Sequence, residues 1–188
     1  MLRCAAACKE IDARTNHERL AARFPDNPYV QRLVAKAEAL NVSFDSSPVE
    51  NNWLYHPYQR RLYIWEPDLD SQSLSYLVVI LAHELGHAVD FDDNPHHLRT
   101  LRNHHWLDVP DEVELAAFVQ GFRILKELAI PVSLDHYEQM IEQPMAARVR
   151  RQIESNLCCL LSAPRPEPRG GVPADRPLRP QRSGGRRR

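Results

Sequence analysis

Long hydrophobic runs are missing from this sequence of 188 residues. No apolar run reaches the roughly 18–20 residues that a membrane-spanning helix needs, so we expect no membrane span. The apolar stretch at the N-terminus ends at Cys8, which is too short for a signal-peptide core of about 7–15 residues. The sequence therefore predicts a cytoplasmic protein.

Cysteine is scarce, and the spacing of the cysteines does not indicate a metal site or a disulfide framework. The sequence has four cysteines, and they are Cys4, Cys8, Cys158 and Cys159. A CxxxC pair and an adjacent pair do not match the usual spacings of a zinc site, and they do not suggest a disulfide framework. We expect reduced thiols.

Acidic and aromatic residues are almost absent from the last 26 positions. Residues 163–188 contain eight Arg, six Pro and four Gly against one Glu and one Asp, and no aromatic residue. This segment carries a charge of +6, so the rest of the chain carries −7 of the overall −1. Such a composition predicts a disordered basic tail. It could contact nucleic acid, but it has no ring to stack on bases.

The rest of the chain has the composition of one globular domain, with 43% hydrophobic residues in the whole sequence. We expect an N-terminal segment over 1–15, a domain over 16–162 and the tail over 163–188. The hydrophobic periodicity predicts helices over 16–23, 28–40, 74–91, 111–130 and 145–161, with a short one from Asp135. A strand over 41–44 and a hairpin formed by "WLYH" and "RLYIW" are also predicted. The fold class is α+β, mainly helical, with a small antiparallel sheet or hairpin packed on the helix over 74–91.

That helix contains the most informative stretch, "LAHELGHAVD". The sequence has no charged residue from Gln72 to Ala82, which predicts that the helix is buried on nearly all sides. Asp70 or Ser71 is expected to cap the start of this helix. A loop is predicted from its end to Val109.

His83, Glu84 and His87 form an HExxH motif on this helix. Residues four apart on a helix lie about 40° apart around its axis and about 6 Å apart along it. Two imidazoles can therefore bind one zinc ion, while Glu84 reaches a water molecule without being a ligand. The motif predicts that His83 and His87 bind metal and that Glu84 is a general base.

A catalytic zinc site needs a third protein ligand. The sequence offers four kinds of candidate after the motif, and they are Asp93, the loop histidines His96, His97, His104 and His105, Glu112, and Glu114. We favour Glu114, because Ala116 and Ala117 follow it and small residues let two helices approach closely. Glu112 faces nearly the opposite way and suits an exposed helix start, where acidic side chains are favoured.

The uncharged "VVILA", the "HELGH" motif and the downstream "ELAAF" together resemble the ImmA/IrrE family of bacterial metallopeptidases. The resemblance spans about residues 28–130 and implies a zincin-like fold. It implies that His83, His87 and Glu114 are zinc ligands, that Glu84 is the base, and that Phe118 matches a phenylalanine of the family. The sequence differs from the family after Phe118 and has no recognisable helix-turn-helix module.

The expected function is that of an intracellular zinc endopeptidase with a protein or peptide substrate, for which a regulatory protein is one candidate. His104, His105 and Tyr137 are candidates by residue type for stabilising a developing oxyanion. Two other hypotheses stay open. One is a zinc-binding regulatory or interaction module without turnover, and the other is a nucleic-acid-associated protein that acts through its tail.

Overall fold

The computed structural model describes residues 16–102, 104 and 108–162. Within these residues the chain forms helices and three short strands in the following order: α1 (Asn16–Arg23), α2 (Pro28–Ala39), β1 (Ser43–Ser46), β2 (Leu54–His56), β3 (Arg61–Ile64), α3 (Asp68–Ser71), α4 (Leu74–Asp93), α5 (Pro95–Leu101), α6 (Asp111–Glu127), α7 (Leu134–Glu138) and α8 (Met145–Ser162). The expected mainly helical α+β fold is confirmed. The predicted segments 1–15 and 163–188, and with them Cys4 and Cys8, lie outside the described residues.

The sheet contains the predicted hairpin and one further strand. β2 pairs antiparallel with β3, and β1 pairs parallel with the other side of β3. The sheet is therefore mixed rather than antiparallel, because the chain leaves α2 in a direction that makes β1 run parallel to β3. The strand order β1-β3-β2 leaves β2 at an edge, where it packs against α4.

The turn of the hairpin is tied to α4 by Arg60. Its backbone has a φ of 47°, and its guanidinium reaches both carboxylate oxygens of Asp92 at 2.8 and 2.9 Å. A second set of contacts runs from the same guanidinium to the carbonyl of Leu40. These contacts fix the position of β2 relative to α4.

The core helix is α4, and its burial explains its apolar sequence. It begins after Ser73, whose hydroxyl accepts a hydrogen bond from the backbone N–H of Tyr76. The predicted caps, Asp70 and Ser71, belong instead to the separate short helix α3. By length and composition α4 could cross a membrane, but 72% of its apolar window is buried in the fold, as in the core helix of a globular domain.

The helices α4 and α6 cross at glycines. A Cβ atom added to Gly86 would lie 2.1 Å from the carbonyl oxygen of Ala117, and one added to Gly121 would lie 2.9 Å from the carbonyl oxygen of Ala82. Neither position can hold a larger residue without moving the other helix. The predicted close approach beside Ala117 is therefore present, and it places the HELGH segment directly against α6.

The predicted loop up to Val109 is wrong in its first half, because α5 forms there. Asn94 ends α4, and Pro95 opens α5 with the φ angle that a first helical turn needs. The new helix is held on α4 by Asp90, which is fully buried. The carboxylate of Asp90 contacts Nδ1 of His97 at 2.6 Å and accepts a hydrogen bond from the Asn94 side chain at 2.8 Å.

Candidate metal centre

His83 and His87 on α4 meet Glu114 on α6 at the helix crossing. The Nε2 atom of His83 lies 3.3 Å from one carboxylate oxygen of Glu114, and that of His87 lies 3.5 Å from the other. One ligand atom from each of the three side chains lies within 4.8 Å of the others, so the group could hold a metal ion. The two histidines are buried, and the Glu114 side chain is 28% exposed.

These distances suit a metal ion better than direct hydrogen bonds. In a tetrahedral site with metal–ligand bonds of about 2.0–2.1 Å, neighbouring ligand atoms lie about 3.3–3.4 Å apart. Hydrogen bonds from N–H to oxygen are usually about 2.7–3.2 Å long. The separations of 3.3 and 3.5 Å, which run to the two different oxygens of Glu114, are longer than such hydrogen bonds and leave room for an ion between the side chains.

The two imidazole rings are oriented by aromatic stacking. The Nδ1 atoms of both histidines are buried, and they have no hydrogen-bond partner among the described residues. Instead, Phe118 stacks on His83 with ring centroids 3.9 Å apart, and Phe91 stacks on His87 at 5.7 Å. Both rings thus present Nε2 to Glu114 without a hydrogen bond at the other nitrogen.

Burial and the charges of neighbouring side chains shift the pKa values of Glu114 and His87. Burial opposes ionisation of Glu114, but its contacts with His83 and His87 outweigh this effect and hold its pKa well below the usual range. Burial lowers the pKa of the His87 imidazole, while the contact with Glu114 and nearby carboxylates raise it more, so that the pKa is raised overall. The carboxylate is therefore ionised and ready to bind a cation.

Glu84 lies beside the group but outside it. One of its oxygens is 3.9 Å from Nε2 of His83, which is beyond hydrogen-bond length, and the residue is 5% exposed. Burial raises the pKa of its carboxyl group, while the two imidazoles and a hydrogen bond from the backbone of Tyr55 lower it, and the net shift is upward. A carboxylate with a raised pKa is a better proton acceptor than an exposed one.

A cleft of about 330 Å³ opens onto this group. His83, Glu84, His87 and Glu114 line one end of it. The edge strand and its turn form one wall over residues 52–58. The rest of the described lining comes from Phe91, which stacks on Tyr55, and from Leu101, His104 and Val109.

The other candidate ligands lie elsewhere. Asp93, His96 and Glu112 are exposed, and His97 contacts Asp90. His104 lines the cleft but does not join the converging group, and His105 lies outside the described residues. Among the described candidates, the structure therefore brings Glu114 alone to the two histidines.

Tyr137, a candidate for stabilising an oxyanion, is placed away from the cleft. The residue is fully buried, and its hydroxyl donates a hydrogen bond of 2.8 Å to the carbonyl of Phe118. Burial raises the pKa of this phenol well above its usual range. Its role is to support α6, whereas His104 stays within reach of a bound ligand.

Sequence reasoning missed three residues that shape the site. Phe91 stacks on His87, Asp90 holds α5 beside the cleft, and the backbone of Tyr55 contacts Glu84. The spacing of Phe91, four residues after His87 on one helix, was a usable signal. The contact between Tyr55 and Glu84 had no such signal in the sequence, because it depends on how the edge of the sheet packs against α4.

No protein-family model matches the chain, and no curated protein or solved structure shows significant similarity to it. The likeness to the ImmA/IrrE family therefore stays a prediction based on residues 83–87 and 114–118.

Proposed function

We propose that this protein is a zinc-dependent endopeptidase that hydrolyses peptide bonds, with Glu84 as general base. The observation that carries the proposal is the convergence of His83, His87 and Glu114, whose ligand atoms lie within 4.8 Å of one another, with a buried carboxyl group beside them in the lining of a cleft. A site that only stores metal does not need that additional carboxylate.

The chemistry follows from the donor set. Two imidazoles and one carboxylate leave a coordination position free, which is typical of catalytic zinc sites. A zinc ion held by His83, His87 and Glu114 would lower the pKa of water and polarise a carbonyl group. Glu84, buried beside these residues, would take a proton from water and give it to the leaving amine.

The edge strand supports an extended substrate. Among the described strands β2 pairs on one side only, with β3, and residues 52–58 line the cleft beside Glu84. A peptide in extended conformation can add to such an edge through backbone hydrogen bonds. The proposed substrate is therefore an unfolded or flexible segment of an intracellular protein, and the cytoplasmic location stays a prediction.

Metal content tests the ligand set. We expect about one zinc ion in the wild-type protein, little in Glu114→Gln, and an unchanged amount in Glu84→Gln. The matched control is Glu112→Gln, since Glu112 precedes Glu114 by two positions and is exposed. If Glu114→Gln keeps its zinc, the proposed ligand set is wrong.

Hydrolysis tests the base. Zinc-loaded wild-type protein should cleave fluorescently labelled casein or a quenched peptide library, and Glu84→Gln should lose at least about 100-fold in rate. If the zinc-loaded wild type cleaves neither probe nor any member of the library, the non-catalytic zinc-binding module replaces the endopeptidase.

A further inference from the structure

We propose that the cleft selects peptides with a large apolar side chain next to the bond at the metal centre, and that Leu101 is a determinant of this preference. The inference rests on the proposed function and specifies its substrate class. It depends on the walls of the cleft, on their charge and on the helix that delivers Leu101.

The lining of the cleft is largely apolar. Trp53, Tyr55 and Tyr58 from the sheet and its turn line the cleft together with Phe91, Leu101 and Val109, and the rings of Tyr55 and Phe91 stack with their centroids 6.2 Å apart. Tyr58 is 60% exposed, which places it at the mouth, and its hydroxyl accepts a hydrogen bond from Arg102. An apolar side chain that enters the cleft leaves water and gains contacts with this lining.

Charge excludes the other side-chain classes. Among the described residues that line the cleft, the carboxyl groups are those of Glu84 and Glu114, and no Lys or Arg accompanies them, although Arg102 contacts Tyr58 at the mouth. An acidic substrate side chain would lose its water inside the cleft beside these two carboxyl groups. A basic one would have to compete with the metal ion for Glu114 and would otherwise be buried unpaired, which is costly.

The size of the cleft sets the size of the occupant. Its volume of about 330 Å³ lies at the lower end of ligand pockets, which run from about 300 to 1,000 Å³. Such a space fits one large side chain with its flanking backbone and excludes a folded domain. An extended segment along β2 satisfies this limit.

Leu101 is positioned by a contact between Asp90 and His97 that metal binding does not use. It is the last residue of α5, and the contact between Asp90 and His97 holds that helix on α4. Leu101 is half-buried and lines the cleft, so a substitution there changes the wall without removing a core residue. Val109 is similarly half-buried and gives a second position on the same wall.

The test measures binding of peptide hydroxamates to the zinc-loaded full chain by calorimetry. The ligands differ only in the side chain next to the chelating group, which is benzyl, methyl, carboxyethyl or aminobutyl. We expect the benzyl compound to bind about tenfold or more tightly than the methyl compound, because it buries most of an aromatic ring. The carboxyethyl compound should bind most weakly.

Two pairs of variants, at Leu101 and Val109, connect the preference to the lining of the cleft. Leu101→Asp should bind the aminobutyl compound about two- to fivefold more tightly than Leu101→Asn does, because the two variants differ in charge and hardly in shape. Val109→Asp and Val109→Asn repeat the comparison. A gain of affinity for one ligand cannot arise from a loss of folding.

The outcomes separate this inference from the proposed function. Equal affinity for all four compounds, with zinc bound, overturns the apolar preference and leaves the metal centre intact. A benzyl preference without hydrolysis of any peptide supports the inference and contradicts the peptidase. A protein that binds no zinc overturns both, and metal content reveals this case before any ligand is added.

Discussion

The ring of Phe118 lies on the imidazole of His83, with centroids 3.9 Å apart and planes inclined by 25°. Phe118 follows Glu114 by one helical turn, so α6 supplies both a candidate metal ligand and the surface that orients another one. Partner groups around a metal ligand usually fix its ring by a hydrogen bond. Here, stacking replaces that bond, since Nδ1 of His83 is buried without a partner among the described residues.

Phe118→Leu should therefore weaken zinc binding although it removes no donor atom. We expect about a tenfold loss of affinity, comparable to the effect of removing a partner group around a metal ligand. A competition titration against a chromogenic chelator measures it. Val119→Leu is the control, because Val119 is a buried residue of the same helix that does not line the cleft. Equal zinc affinity in wild type and Phe118→Leu would show that the stacking has no role in metal binding.

Gly86→Ala should destabilise the protein, although alanine is the better helix former by about 1 kcal/mol. The added Cβ would lie 2.1 Å from the carbonyl oxygen of Ala117 and would push α4 and α6 apart. We expect a net loss of about 1–3 kcal/mol in the free energy of unfolding, together with weaker zinc binding. Chemical denaturation measures the first quantity. Ser75→Ala, at an exposed position of α4, should change neither quantity noticeably, and a Gly86→Ala variant as stable as wild type would contradict the crossing geometry.

His97→Ala should lower stability and leave the zinc content unchanged. It removes the partner of Asp90, which is fully buried and keeps only the Asn94 side chain as a donor. The expected loss is about 1–3 kcal/mol in the free energy of unfolding. His96→Ala serves as the comparison, since His96 is the exposed neighbour. Lost zinc with unchanged stability would instead make His97 a ligand.

The stabilisation by zinc should grow as the pH rises from about 6 to about 8. In the metal-free protein the pKa of His87 is raised above its ordinary value of 6.5, so its stabilising contribution is complete below that pH and is lost as the pH rises through the folded value. The raised pKa of Glu84 acts in the same direction. Zinc also competes better when fewer protons are bound.

Melting temperatures of zinc-loaded and metal-free protein across this pH range measure the effect. Their difference should widen with pH in the wild type and stay small in Glu114→Gln. A constant difference in the wild type would contradict the coupling between His87 and Glu114.

Much of the fold was predictable because its signals are local. Asn27 and Pro28 begin α2 as predicted, with the Asn27 side chain accepting hydrogen bonds from the backbone N–H groups of Tyr29 and Val30. The aromatic and β-branched residues of "RLYIW" predicted β3. The start of α4 at Leu74 was predicted correctly, but its cap was not, because Asp70, Ser71 and Ser73 are all good caps and only the backbone conformation decides among them.

The site was predictable in its residues and less so in its surroundings. Spacing on one helix relates His83 to His87, but nothing in the sequence alone brings Glu114 to them rather than a histidine of the intervening segment. Which side chain meets the two histidines depends on the crossing of α4 and α6, and on α5, which places His97 in contact with Asp90. Contacts between distant segments decide such cases, and a local pattern does not contain them.

The crossing at Gly86 also limits the ionic radius of a metal ion that could bind between α4 and α6. With backbone in contact between α4 and α6, the backbone of Glu114 cannot move away from the two histidines unless the helices separate. An ion that needs bonds of about 2.3–2.6 Å, such as Ca²⁺, would have to be accommodated by the Glu114 side chain alone, whereas ions that bind at about 2.0–2.1 Å need less room. Selectivity by ionic radius is thus expected to arise from a glycine that touches no metal.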